Sequence, residues 1–168
     1  MTAFFDFNMT ALDGSADLLG PLRGRVVLAV NVASRCGYTP QYRGLEQLYQ
    51  ETQGAGLTVI GFPCNQFGAQ EPGTAAEIQS FCSTTYQVSF PLSAKLEVNG
   101  PGRHPLYAWL TDPAQGFGGD IEWNFEKFLL DRDGALLKRY PAGTKPQDSG
   151  LIEDIAPEKS LIYRDLHD

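Results

Sequence analysis

The chain has 168 residues, of which 42% are hydrophobic and 20% charged, proportions that exclude a disordered or low-complexity polypeptide. Its formal net charge of −7, with no basic run longer than an isolated pair such as Lys138-Arg139, repels phosphate backbones and anionic lipid, which argues against nucleic-acid and membrane partners. The length suits one domain over residues 1–168.

Residues Met1 to Asn8 carry no basic region followed by an apolar stretch and a small-residue cleavage site, so no secretion signal is read there. No window approaches 18 uninterrupted apolar residues, and the expected address is cytoplasmic. Phe5 to Leu12 alternates in part, and Asp13-Gly14 is a turn signal before a short segment at Ala16 to Leu18, which together predict an N-terminal β-hairpin. Arg25 to Ala33 is a continuous β-branched and apolar run, as in a strand buried on both faces. After Ser34 to Tyr38, the pair Thr39-Pro40 reads as an N-cap followed by proline in the first helical position, and the helix should run to about Gln53.

Gly54 to Gly56 ends that helix, and Leu57 to Phe62 reads as a second buried strand, giving a right-handed parallel unit. Pro63 to Gly73 is a loop, after which Thr74 and Glu77 form a capping box for a helix to about Ser83. Pro105 to Leu110 suits a short helix. Glu126 to Leu130 and Ala135 to Tyr140 flank the Asp133-Gly134 turn signal, and Leu151 to Ile155 suits a terminal helix. The order predicts an α/β fold, a central mixed β-sheet flanked by helices on both faces, as in thioredoxin-like folds.

Three cysteines, Cys36, Cys64 and Cys82, form no C-x-x-C pair, and His104 and His167 add little ligand capacity, so neither a zinc site nor another cofactor is expected. Cys36 stands where a buried parallel strand gives way to a helix, the edge at which α/β sheets hold reactive groups. A small buried hydrophobe would suit the same position, and position alone does not decide between them. A free thiol titrates near 8.5, so making it mostly thiolate at pH 7 takes about 2.7 kcal/mol. A helix N-terminus supplies roughly 0.3 to 1 kcal/mol, whereas each hydrogen bond to a charged group contributes about 1.5 to 3 kcal/mol. Neutral N–H donors are available in two unusual loops, Phe62 to Gly73 and Trp123 to Phe128.

The segments Asn31-Val32-Ala33-Ser34-Arg35-Cys36-Gly37-Tyr38-Thr39, Gly61-Phe62-Pro63-Cys64-Asn65-Gln66-Phe67-Gly68 and Trp123-Asn124-Phe125-Glu126-Lys127-Phe128 resemble, in order and spacing, the three signature blocks of the glutathione peroxidase family. Val98 to Tyr107 resembles a further family segment, so the likeness runs from about Phe5 to Ile155. It implies a thioredoxin-like fold, a peroxidatic Cys36, and Gln70, Trp123 and Asn124 as the rest of a catalytic tetrad. Cysteine stands where some members carry selenocysteine. The resemblance makes Cys82 the resolving cysteine and Cys64 a structural bystander.

The implied function is that of a thiol peroxidase reducing hydrogen peroxide and organic or lipid hydroperoxides. Cys36 would pass through a sulfenic acid to a Cys36–Cys82 disulfide recycled by thioredoxin. Glutathione as reductant without a resolving cysteine, and a peroxide sensor relaying its disulfide to a client protein, are the alternatives. A dithiol oxidoreductase would need cysteine at Thr39, and a peroxiredoxin would want threonine at Ala33. The short stretch between Leu110 and Trp123 leaves no room for the subunit-contact loop of tetrameric members, which implies an open site and a monomer or weak dimer.

Overall fold

The computed structural model describes residues 2–157; Met1 and His167 lie outside them. Strands β1 (Val26–Val32) and β2 (Leu57–Pro63) are buried at every residue and pair in parallel, from Val26 opposite Leu57 to Val32 opposite Pro63. Strand β3 (Lys127–Leu130) lies antiparallel to β1 on its other side, and β4 (Leu136–Tyr140) lies antiparallel to β3, so the sheet order is β2-β1-β3-β4. This is the mixed sheet that the residue pattern predicts, and the apolar run of β1 is explained by its central place.

The period of two along β1 divides the core. Val26, Leu28, Val30 and Val32 join Tyr42, Leu45 and Leu48 of helix α1 (Gln41–Thr52) and Ile78 and Cys82 of helix α2 (Ala75–Thr85) on one face. The helical residues 149–157 add Leu151 and Ile155 to the same cluster. Val27 and Ala29 face the other way, against Leu106, Tyr107 and Leu110 of helix α3 (Pro105–Leu110) and the N-terminal Phe4, Phe5 and Met9. Helices therefore cover both faces. Gly61 of β2 lets the chain at Pro91 to Ser93 run along the sheet edge, since a Cβ there would meet Leu92 at 2.7 Å.

The predicted N-terminal β-hairpin is reduced to its turn. Phe4–Asp6 is a 3-10 turn, and the Ala11 and Leu18 N–H groups donate to the Ser15 and Met9 carbonyls across Asp13-Gly14, with Gly14 at φ +90°. Ala11 pairs with Ser93 instead of with a second N-terminal strand. The buried side chains of Phe4, Phe5 and Met9 are held by the core behind them, which outweighs a two-stranded ribbon that would be marginal on its own.

Candidate active site

Cys36 lies four residues beyond the end of β1, in a series of tight turns that leads into α1. The Thr39 hydroxyl, predicted to cap α1, does something else. It accepts from the Cys36 N–H at 2.9 Å and donates to the Ala33 carbonyl at 2.8 Å, so it fastens the cysteine turn to the strand end. Pro40 precedes the helix and no side chain caps it. The helix begins at Gln41 with Pro40 at its N-cap, so Thr39 lies one residue outside the capping position and its hydroxyl serves the turn. Cys36 as a residue is 8% exposed, and its sulfur accepts one hydrogen bond, from the Tyr38 N–H at 3.3 Å.

Two loops close on this turn. In the first, Gly68 and Ala69 both take positive φ, +67° and +53°, and reverse the chain so that the Gln70 carbonyl accepts from the Arg35 N–H at 3.0 Å. The next residue, Glu71, is fully buried, and its Oε1 accepts from the Ser34 N–H at 3.1 Å. Burial pushes the Glu71 carboxyl above the usual range, against the pull of the Ser34 hydrogen bond. In the second loop, the Asn124 Nδ2 donates to Gln70 Oε1 at 3.0 Å, and Trp123 packs on Phe67 with ring centroids 5.9 Å apart. Trp123 is 36% exposed, whereas Asn124 is fully buried with its Oδ1 unpartnered.

The structure thus brings Gln70, Trp123 and Asn124 into one cluster and ties that cluster to the Cys36 turn. Among the described residues, none of their side-chain N–H groups bonds the sulfur. The donor on the sulfur is a backbone amide. Non-glycine residues rarely adopt positive φ, and two of the four that do so among the described residues, Ala69 and Phe125 at φ +71°, stand beside Gln70 and Asn124.

Several positioning residues went unassigned in the sequence. Asn31 of β1 donates from Nδ2 to the Trp123 carbonyl at 3.0 Å, and its own carbonyl accepts from the Phe125 N–H at 2.6 Å. An asparagine inside an otherwise apolar buried run was the available signal. Gln66 accepts from the Val98 N–H, while Asn99 exchanges bonds with Ile121 through both of its amide atoms, at 2.7 and 2.9 Å. Together they staple the two loops.

The other cysteines are separated by the sheet. Cys82 lies in the same cluster as Cys36, whereas Cys64 lies in the cluster on the opposite face. All three are free thiols. Burial pushes the Cys82 thiol up to about 11, opposed by the adjacent Tyr42 hydroxyl, and burial also raises Cys64. A cavity of about 190 Å³ separates Ser34, Arg35 and Glu71 from Glu77, Ile78 and Phe81 of α2. Among the described residues, no group of three or more His, Cys, Asp or Glu side chains is placed to hold a metal ion, and no helix is long and apolar enough to cross a membrane.

The family model for glutathione peroxidase matches residues 4–111. The chain belongs to the glutathione peroxidase family. Its relatives include the hydroperoxy fatty acid reductase gpx1 of Synechocystis, 52% identical over 151 residues that span 86% of this chain and 89% of that protein. The glutathione peroxidase-like peroxiredoxin HYR1 of Saccharomyces cerevisiae is 46% identical over 161 residues, 94% of this chain and 99% of that one. Among solved structures, T. cruzi GPX1 superposes with a TM-score of 0.76 at 34% identity, covering 95% of this chain and 97% of its own. The thioredoxin-like fold expected of a glutathione peroxidase is the fold observed.

Proposed function

We propose that this chain is a thiol peroxidase in which the Cys36 thiolate attacks the distal oxygen of a hydroperoxide. The S–O bond forms as the O–O bond breaks, the leaving alkoxide takes a proton and departs as alcohol or water, and Cys36 is left as a sulfenic acid. The observation that carries this reading is the cluster of Gln70, Trp123 and Asn124 tied to the Cys36 turn at the end of β1. In the reacting complex, with peroxide between them and Cys36, their neutral donors would stabilise the charge that develops on the sulfur and on the leaving oxygen.

Cys82 is the resolving residue in this reading. Its thiol attacks the sulfenic sulfur, an S–S bond forms and water leaves. A thiol held at about 11 is protonated at neutral pH and a poor nucleophile. Unwinding of α2 lifts that penalty, since it returns Cys82 to water, where the thiol ionises more readily, and frees it to reach Cys36. The dithiol of thioredoxin then reduces the disulfide. Tyr38 and Trp123, the large exposed aromatics beside the cysteine turn, suit apolar acyl hydroperoxides as well as hydrogen peroxide. Two Synechocystis relatives are named hydroperoxy fatty acid reductases, which supports the same substrate class. The short 3-10 connection Pro113–Gln115 between α3 and the Trp123 loop fits an open site in a monomer or weak dimer, and the cytoplasm is the address this reading assigns.

The test is consumption of cumene hydroperoxide with thioredoxin or glutathione as sole reductant. Turnover is expected with thioredoxin, to be abolished in Cys36→Ser, and to be lost under steady state in Cys82→Ser while one equivalent of peroxide is still reduced. Glutathione-supported turnover that ignores Cys82 would overturn the assigned reductant, and activity in Cys36→Ser would overturn the reading itself.

A further inference from the structure

Lys127 is fully buried at the start of β3, yet its ammonium meets no carboxylate among the described residues. Its sequence neighbour Glu126 is occupied elsewhere, accepting from Arg139 at 2.8 and 3.1 Å and from the Glu122 N–H at 2.8 Å. Among the described residues the Lys127 Nζ donates only to two carbonyls, Phe125 at 2.7 Å and Ala142 at 3.3 Å. Burying a cation with so few acceptors is unfavourable, and an apolar side chain of similar length would fill the space at lower cost. The burial holds the lysine at about 7, which is the same penalty seen as titration.

What the two carbonyls belong to explains the expense. Phe125 is the residue at φ +71° that ends the Trp123-Asn124 turn. The Trp123 carbonyl and the Phe125 N–H are both taken by Asn31, and the Phe125 carbonyl by Lys127, so the backbone on both sides of Asn124 is pinned. The Ala142 carbonyl also accepts from Gln41 Nε2, at 2.8 Å, on the first residue of α1. Lys127 and Gln41 therefore meet on one oxygen, and that oxygen joins the Asn124 turn to the element that follows Cys36.

We infer that Lys127 is a positioning residue for peroxide reduction, holding the strained Trp123–Phe125 turn in register with the Cys36 turn through the carbonyls of Phe125 and Ala142. The inference rests on the tetrad reading above. A displacement of about 1 Å at a reacting centre can cost on the order of a hundredfold in rate, so losing one side of the clamp should be visible.

The experiment compares wild type with Lys127→Met, and with Lys127→Gln if the methionine variant does not fold. Four quantities are read: the single-turnover rate of Cys36 oxidation by cumene hydroperoxide, the thermal midpoint, Trp123 emission in a Trp109→Phe background, and the rate at which thioredoxin reduces the preformed disulfide. The expected result is a rate at least tenfold lower and a changed Trp123 emission, with the midpoint unchanged or raised and reduction of the preformed disulfide by thioredoxin unaltered. A folded variant that oxidises within twofold of wild type overturns the inference, as does a rate loss that only follows a lower midpoint. If wild type itself fails to reduce peroxide, the tetrad reading fails, while the Trp123 emission still reports whether Lys127 holds the turn.

Discussion

Helices α1 and α2 are of similar length and each follows a loop at the carboxyl edge of a parallel strand, but they are secured very differently. Helix α1 buries Tyr42, Leu45 and Leu48 against β1 and β2, and its entry is bound to the strand end by Thr39 and to the chain just beyond β4 by Gln41. Helix α2 buries only Ile78 and Cys82, with Phe81 partly covered. A fully buried aliphatic side chain contributes about 1.5 to 3 kcal/mol, and an isolated helix of this length is marginal in water. The difference teaches how one fold serves two cysteines. In the proposed reaction the cysteine that would meet peroxide stands beside a rigid clamp, and the one that would have to travel rides on a helix with a single aliphatic anchor.

The contrast can be broken at its strong end first. Leu45→Ala should lower the free energy of unfolding by about 2 to 5 kcal/mol in urea titrations, because α1 and the sheet share one core. A loss confined to faster hydrogen exchange within α1, with global stability kept, would contradict that view.

A smaller effect should sharpen the account of the clamp. The folded pKa of Lys127 lies near 7, below its unfolded value of 10.5, so between those limits the unfolded chain binds a proton that the folded chain does not. Stability contributed through this group therefore rises with pH in that window. Relative to Lys127→Met, wild type should gain about 2 kcal/mol between pH 7 and pH 9, measured by denaturant unfolding at each pH. The cysteines remain in both proteins and cancel in the difference. A difference that stays flat would place the ammonium in contact with water.

The smallest effect belongs to α2. Thr74 and Glu77 cap it reciprocally, at 3.1 and 3.2 Å, and Thr74→Ala should remove about 1 kcal/mol of local helix stability. If unwinding precedes disulfide formation, quench-flow measurement should find the Cys36–Cys82 bond forming about fivefold faster. An unchanged or slower rate would mean that α2 does not have to open.

Local signals were legible where the chemistry is local. The capping box at Thr74 and Glu77, the helix at Pro105 and the buried run of β1 appear where their residues place them, because caps, proline and side-chain period act within a few residues. The Asp13-Gly14 turn was also legible, although the strands expected beside it were not formed. Thr39 shows the limit more sharply. It has the chemistry of a helix cap, but the helix starts after Pro40 and the hydroxyl instead joins the Cys36 N–H to the Ala33 carbonyl, partners that are in reach only once the strand and the turn are folded together.

By itself the sequence determined the element order, the family resemblance, and which side chains were candidates for chemistry at Cys36. Only the tertiary structure decided that Cys64 faces away from Cys36 across the sheet, that Asn31 and Lys127 hold the Asn124 turn, and that Cys82 is sealed under α2. The physical reason is distance along the chain. Hydrogen bonds such as Asn31 to Trp123, separated by 92 residues, depend on the sheet bringing remote segments to one edge, and no local pattern encodes that approach.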